Sequence, residues 1–194
     1  MKVGIMGAGK IAATMAQTIN GMKHPEVELY AIASRSLEKA LDFAQKNNVT
    51  KAFGSYEEML KDPDVDLIYI ATPHSEHYSN IKLCIQYKKA MLVEKAFTAN
   101  ARQAEEVLAL ARSNHVFITE AIWTRYMPSR SIIDKLIEIG TIGKVHSIQA
   151  NLGYPIFRID RIFKPELAGG ALLDIGVYPL NFALMAFGHE VAKI

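Results

Sequence analysis

KVGIMGAGKIAATM, residues 2–15, is the stretch that decides the fold. An apolar run of strand length, Lys2–Met6, ends at the glycine turn 7–9, and a helical pattern follows over Lys10–Met22. With Ala12 the turn completes the spacing G-x-G-x-x-(G/A) between a strand and a helix, the context in which this motif predicts a dinucleotide site. The order also predicts the first unit of a parallel α/β sheet.

Each part of this motif has a physical task in binding a dinucleotide. Gly7 permits the tight turn and Gly9 lets a pyrophosphate approach the backbone. The helix that opens at Lys10 and Ile11 presents free N–H groups and a partial positive charge to the phosphates. The alternative is a glycine turn that binds no ligand, and the position of the motif at the start of a βαβ pattern favours nucleotide binding.

Short apolar runs and helical patterns continue to alternate as far as residue 122. The further predicted strands are Glu28–Ser34, a short one around Phe53, Asp66–Thr72, Ala90–Glu94 and Val116–Glu120. The further predicted helices are Leu37–Asn47, Tyr56–Lys61, Ser75–Lys88 and Ala101–Asn114. Alternation of this kind predicts an α/β fold, with a Rossmann doubly wound parallel sheet over residues 1–122.

The pattern changes over residues 123–194. We predict a helix at Ser131–Ile139, a half-exposed strand at Lys144–Tyr154, a buried helix within Gly169–Gly188 and the opening of a strand at His189–Ile194. These elements are typical of the start of an α+β open-sheet domain. The segment from 169 to 188 approaches the length of a membrane span, but its glycines, its proline and Asp174 favour a helix buried in protein.

Composition and charge exclude several classes of partner. The 194 residues carry 22 Lys+Arg and 20 Asp+Glu, a net charge of +2, and are 50% hydrophobic, which is typical of a soluble globular protein. This charge gives no electrostatic basis for binding nucleic acid or an anionic membrane. Cys84 is the only cysteine, flanked by apolar residues, so we expect no disulfide, a buried thiol and a reducing, cytoplasmic location. Glycines interrupt the N-terminal apolar stretch too early for a secretory signal.

The residues after the second strand bear on the choice of nucleotide. A carboxylate there would favour NAD, but this chain has Ser34 and Arg35. A hydroxyl and a guanidinium both suit a 2′-phosphate, so the sequence favours NADP over NAD. In the alternative interpretation Arg35 faces solvent and Ser36 caps the next helix.

Two further strand ends carry polar groups. Thr72, Pro73 and His74 follow the central strand, with His77 three residues on, and we expect them to border the cofactor. The His-x-x-His spacing also fits a metal, but no further ligand cluster accompanies it, so no metal site is predicted. Glu94-Lys95 ends the next strand, where the lysine is either merely solvated or placed to hold or transfer a substrate proton.

Together these motifs resemble the Gfo/Idh/MocA family of NAD(P)-dependent oxidoreductases. The resemblance rests on the glycine motif, on Ala71-Thr72-Pro73-His74, on Glu94-Lys95 and on the block from Gly169 to Pro179. The block from Glu120 to Pro128 further resembles the branch of dimeric dihydrodiol dehydrogenases and D-xylose dehydrogenases. In this family the lysine belongs to a Glu-Lys-Pro signature, and this chain has Ala96 in place of the proline.

The resemblance implies roles for particular residues. Lys95 and Tyr178 match the lysine and tyrosine that handle the proton, and Asp174 lies one helical turn before the tyrosine. Trp123 and Arg125 are expected at the domain junction near cofactor and substrate. The alternatives are that Tyr178 only anchors its helix and that Trp123 and Arg125 only pack between domains.

The implied activity is hydride transfer between NADP, or NAD, and the hydroxyl or carbonyl carbon of a sugar, polyol or related small molecule. The alternative is a nucleotide-binding or sensing module without catalysis. The resemblance also implies a homo-oligomer such as a dimer, and further strands after the helix, so we expect a C-terminally shortened second domain. No nucleic acid, membrane or metal partner is expected.

Overall fold

The computed structural model describes residues 1–156 and 159–190. Its tertiary contacts divide the chain into two units, Met1–Ala121 and Ile122–Ile194.

A sheet of six parallel strands forms the centre of the first unit. The strands are β1 (Lys2–Met6), β2 (Glu28–Ala33), β3 (Lys51–Phe53), β4 (Leu67–Ile70), β5 (Ala90–Val93) and β6 (Ile118–Glu120). All six predicted strands are confirmed, with ends shifted by two residues at most. Their spatial order is β3-β2-β1-β4-β5-β6, so the direction of winding reverses between β1 and β4. In an open parallel sheet that reversal opens a crevice at the carboxyl ends of the strands, where ligands bind.

Five helices cover the two faces of this sheet. They are α1 (Lys10–Met22), α2 (Leu37–Asn47), α3 (Tyr56–Lys61), α4 (His74–Gln86) and α5 (Ala101–Ser113). Residues of α1 and α2 pack in one apolar cluster with alternate strand residues such as Ile5 and Tyr69. Residues of α3, α4 and α5 pack in the other with Met6, Ile68 and Ile70. The predicted doubly wound fold is therefore confirmed.

Cys84 lies in the second of these clusters and is fully buried. Burial raises the pKa of its thiol to about 12, so the side chain behaves as a small apolar residue. The sequence-based expectation of a buried thiol is confirmed.

The regular elements in the described part of the second unit are helices and helical turns. A 3₁₀ turn at Trp123–Tyr126 leads into α6 (Pro128–Glu138), which begins three residues earlier than predicted because Pro128 occupies the first turn. A short helix α7 (Asp160–Phe163) and a 3₁₀ turn (Pro165–Leu167) follow. A π-helical segment (Leu172–Gly176) then runs directly into α8 (Val177–Phe187).

Two predictions for this unit are wrong. Lys144–Tyr154 does not form a strand, because the described residues of the unit offer it no strand to pair with, and an unpaired strand leaves its backbone groups unsatisfied. The helix predicted as buried has no buried residue within α8, where Leu180 and Phe187 are more than half exposed. Of the strand predicted at His189–Ile194, the described His189 and Glu190 are irregular, and residues 191–194 lie outside the described residues.

One helical segment of the described residues, Pro165–Phe187, is long and apolar enough to cross a membrane by length and composition. The core helix of a soluble protein meets the same two criteria.

Two leucines on successive helices of the chain provide a test of the packing. Leu60 on α3 is 1% exposed, whereas Leu41 on α2 is 55% exposed. Leu60→Ala should lower the free energy of unfolding by about 2–5 kcal/mol because it opens a cavity in the core. Leu41→Ala should change it by about 0.5 kcal/mol or less. Urea unfolding followed by circular dichroism measures both, and equal losses would contradict the described core.

Candidate functional site

The glycine turn lies at the carboxyl edge of the sheet, where β1 passes into α1. Gly7 has φ +101°, and a Cβ added there would lie 3.0 Å from the Ala71 carbonyl oxygen, so only glycine fits. The Gly7 N–H donates to the Ala33 carbonyl oxygen at 2.9 Å, and the Ala71 N–H donates to Met6 at the same distance. These bonds hold the turn between the ends of the two neighbouring strands.

The helices of this unit differ in how they begin. The side chains of Ser36, Ser55 and Asn100 cap α2, α3 and α5 by accepting a backbone N–H. Helices α1 and α4 instead follow Gly9 and Pro73 and have no side-chain cap in the described structure. Because the first N–H groups of a helix have no partner within it, these two ends present donors and positive partial charge. Both lie after β1 and β4, the two strands between which the winding reverses.

The start of α1 has open space beside Gly9 and no negative charge in its first turn. A Cβ built at Gly9 would have no described atom within 4 Å, so the backbone there is open to a ligand. Lys10 and Ile11 are exposed in the first turn of the helix, which contains no acidic residue to repel an anion. The residues present therefore fit a dinucleotide cofactor.

Ser34 and Arg35 follow β2 at the same edge. Ser34 is buried, and its Oγ accepts the Ser36 N–H at 3.4 Å, while Arg35 is exposed. Burial raises the pKa of the Tyr56 phenol, and the positive charge of Arg35 opposes that shift. The guanidinium is thus available to an anionic group, and Ser36 also caps α2 as the alternative interpretation expected.

His77 lies beneath the loop that follows β4 and the loop that follows β5, and not at their surface. Its side chain is 0% exposed, with Nδ1 2.8 Å from the Ala96 carbonyl oxygen and Nε2 3.0 Å from that of Thr72. A neutral imidazole has one N–H and donates to one carbonyl at a time. Burial lowers the pKa of His77, and the two carbonyl oxygens oppose this effect. The ring connects the loop after β4 to the loop after β5 and has no exposed surface for a ligand.

Thr72 is fixed by a second side chain of α4, because Asn80 Nδ2 donates to its hydroxyl oxygen at 2.9 Å. Pro73 is exposed, and His74 is buried with its ring edge-on to that of His77, 5.7 Å between centroids. Among the described residues no group of three or more His, Cys, Asp or Glu is arranged to hold a metal ion.

Glu94 and Lys95 are half-buried at the end of β5. Glu94 accepts a very short hydrogen bond from the Tyr69 hydroxyl and a second from the Lys95 backbone N–H at 3.2 Å. Burial raises the pKa of the Glu94 carboxyl, and these two hydrogen bonds and the charge of Lys95 oppose the shift.

The Lys95–Ala96 peptide bond, in the loop after β5, is cis. Beyond it, the Phe97 N–H donates to Glu120 Oε1 at 3.0 Å, so a carboxylate from β6 also holds this loop.

The remaining predicted residues belong to the second unit. The Trp123 indole N–H donates to the Tyr178 hydroxyl oxygen at 3.1 Å. Asp174, in the π-helical segment, is 2% exposed, and Tyr178 is half-buried in the first turn of α8. Arg125 is exposed in the 3₁₀ turn that carries Trp123.

Sequence reasoning missed Tyr69 and Glu120, which act on this edge of the sheet. Each is a polar residue in or at the end of an apolar strand, and that signal is visible in the sequence. It also missed the π-helical segment before α8. Such segments are rare in proteins overall, but where they occur they are often at functional sites.

Two family models match this chain. One, described as an oxidoreductase family with an NAD-binding Rossmann fold, covers residues 1–121. The other, described as the GFO/IDH/MocA C-terminal domain, covers residues 132–194.

Curated relatives and solved structures agree with these matches. Trans-1,2-dihydrobenzene-1,2-diol dehydrogenase of Xenopus tropicalis is 42% identical over 97% of this chain, and that of Homo sapiens is 38% identical over 98%. The chain spans 57% of the length of each. A 3-ketoreductase from Actinomadura kijaniata, crystallised with NADP and TDP-benzene, superposes with a TM-score of 0.81 at 29% identity. That likeness covers 97% of this chain and 57% of the other.

The raised pKa of Glu94 predicts a specific pH dependence. Between the ordinary glutamate pKa and the raised one, the folded state binds more protons than the unfolded state, so this carboxyl destabilises the fold increasingly as pH rises. Glu94→Gln should therefore gain stability relative to the wild type as pH increases from 4 to 7. Urea unfolding at several pH values measures the difference.

Glu106 provides a control of opposite sign. Hydrogen bonds from Tyr78 and Lys82 lower its pKa, so its carboxylate stabilises the fold above the ordinary glutamate pKa. Glu106→Gln should lose stability relative to the wild type as pH rises. The same pH trend in both variants would contradict the described environments.

Proposed function

The chain belongs to the GFO/IDH/MocA oxidoreductase family, and on that premise we propose that the whole protein is an NADP-preferring oxidoreductase. It transfers hydride between the nicotinamide and the hydroxyl or carbonyl carbon of a small molecule. The observation that carries the proposal is the pair of uncapped helix N-termini beside the open Gly9 backbone, at the point where the winding of the sheet reverses. This arrangement supports a bound pyrophosphate in the position that dinucleotide-binding sheets use.

The preference for NADP is supported by the end of β2. No carboxylate directly follows this strand, where one would repel a 2′-phosphate, and the buried Ser34 is followed by the exposed Arg35. The guanidinium and hydroxyl provide a charge-assisted and a neutral hydrogen bond to a phosphate. The Actinomadura ketoreductase was crystallised with NADP, which agrees with this choice.

The bound cofactor supplies the hydride donor or acceptor, and the chain supplies the proton chemistry. We assign proton handling to Lys95 and Tyr178, because an ammonium and a phenol each exchange a proton with a substrate oxygen. Lys95 is held by its own loop through Glu94, and Tyr178 is held by Trp123. Asp174, almost fully buried one turn before Tyr178, orients and tunes this chemistry.

A sugar, polyol, diol or related ketone is the proposed substrate class. The curated relatives are named for a diol of dihydrobenzene, and the Actinomadura structure is named a 3-ketoreductase. Both names describe oxidation or reduction at a carbon that bears oxygen.

We further propose that the protein works in the cytoplasm as a homo-oligomer such as a dimer. Its one cysteine is buried, which suits a reducing compartment, and its second unit exposes apolar side chains on α6 and α8 that a second copy would cover. Asp174 lies inside the apolar segment and favours contact with protein over lipid.

Binding of the dinucleotide depends on the open backbone at Gly9. Gly9 has φ −97°, so Gly9→Ala should fold normally while its methyl group occupies the space for the pyrophosphate. We expect NADPH affinity to fall at least about tenfold, or about 1.4 kcal/mol. The measurement is fluorescence titration with NADPH and NADH, in which the wild type should bind NADPH more tightly.

Gly21→Ala is the matched control, because Gly21 is exposed near the other end of the same helix with no described atom near an added Cβ. It should keep wild-type affinity and gain about 0.5–1 kcal/mol of stability. Equal affinity in both variants would exclude the glycine turn as the site.

Turnover depends on the two proton-handling residues. Lys95→Met and Tyr178→Phe in the complete protein should each lower kcat about 10²- to 10⁴-fold, with NADPH affinity within about threefold of the wild type. Absorbance of NADPH with sugars, diols and ketones measures the rates. Lys46→Met, which alters an exposed lysine paired with Asp42 on α2, should keep full activity.

If both variants keep their turnover, the assignment of roles is wrong. If the wild type binds NADPH but turns over no substrate of this class, the protein is a nucleotide-binding module instead.

A further inference from the structure

A tryptophan and the proposed acid/base tyrosine form a hydrogen-bonded pair in the second unit. Trp123 Nε1 lies 3.1 Å from Tyr178 Oη, and the two rings meet edge to face with centroids 6.1 Å apart at 64°. The pair joins the 3₁₀ turn at the start of the unit to the first turn of α8, 55 residues further along the chain. It therefore fixes the phenol oxygen relative to a second, independently placed element.

The direction of this hydrogen bond is unambiguous. Indole nitrogen is a donor only, so Trp123 donates and the phenol oxygen accepts. The phenolic proton takes no part in the bond, and Tyr178 keeps the bond when that proton leaves. Hydrogen bonds to an ionised acceptor are shorter and about twice as strong as those to a neutral one.

Burial does not explain the pair. Trp123 is 57% exposed, so its N–H has access to water and needs no protein partner to avoid a desolvation penalty. An exposed indole held on the oxygen of one tyrosine is better explained by a task at that oxygen.

We propose that Trp123 is a positioning residue for proton transfer at Tyr178, which its indole N–H holds in place and stabilises as negative charge develops on Oη. The inference rests on the proposed function and deepens it. In the direction of reduction the Oη–H bond breaks, the proton passes to the carbonyl oxygen of the substrate, and the electron pair stays on Oη, while NADPH provides the hydride to carbon. The Trp123 proton stays on nitrogen throughout, and its hydrogen bond is strongest when Oη is charged.

The hydrogen bond itself is tested by NMR on the complete protein labelled with ¹⁵N. The 194 residues contain one tryptophan, and its indole ¹H–¹⁵N signal is assigned by its loss in Trp123→Phe. Tyr178→Phe removes only the acceptor oxygen. We expect the indole proton to shift upfield and to exchange faster with solvent in that variant. An unchanged shift and exchange rate would overturn the inference.

The positioning role is tested by kinetics with a graded pair of variants. Trp123→Phe removes the donor and keeps an aromatic ring, whereas Trp123→Ala removes both. We expect both to lower kcat about ten- to a hundredfold through misplacement of the phenol, with NADPH affinity unchanged. We also expect the solvent deuterium isotope effect on kcat to increase in both, because proton transfer becomes more strongly rate-limiting.

The outcomes separate this inference from the proposed function. If Tyr178→Phe abolishes turnover and Trp123→Phe keeps the wild-type kcat and isotope effect, the inference is wrong and the proposed function stands. If Trp123→Phe raises only KM, the indole is a wall of the substrate site and the inference is also wrong. If Tyr178→Phe keeps its turnover, the role proposed for Tyr178 fails, whatever the NMR experiment shows.

Discussion

The backbone pairing of β1 determines where the chain turns and which strand ends meet at one edge of the sheet. This strand pairs with β2 and β4 and is covered on both faces, so its polar groups are satisfied only by parallel neighbours in register. Where it ends, Gly7 must take a positive φ with the Ala71 carbonyl oxygen 3.0 Å from any added Cβ. The chain therefore turns at once into α1, and the ends of neighbouring strands gather at one edge of the sheet.

At that edge two helices begin without the side-chain caps that stabilise other helices of the same unit. Ser36, Ser55 and Asn100 each cap a helix, and such a cap is worth about 1 kcal/mol. Helices α1 and α4 lack this device, and both begin beside the point where the winding reverses. A cap at either position would occupy N–H groups that are otherwise open to a ligand. The uncapped ends are thus consistent with selection for binding at some expense of stability.

The first unit could be predicted from sequence almost completely, because each strand is a short apolar run between helical patterns and each pattern depends on local residues. The second unit could not. Lys144–Tyr154 alternates like a strand, yet a strand also needs a partner, and alternation carries no information about one. Among the candidate residues, those at strand ends could be recognised by their type, but the burial of His77 in the first unit and the Trp123–Tyr178 bond in the second depend on contacts distant in sequence.

In the loop that carries Lys95, contacts distant in sequence take the place of a locally stiffening proline. The family signature has proline after the lysine, and this chain has Ala96, which has no ring to stiffen the backbone. Hydrogen bonds hold the loop instead: the His77 ring lies 2.8 Å from the Ala96 carbonyl oxygen, and Glu120 accepts the Phe97 N–H at 3.0 Å. One anchor comes from α4 and the other from the end of β6. Because both anchors belong to rigid elements of the sheet, the position of Lys95 is set by the fold of the whole unit rather than by the residue that follows it.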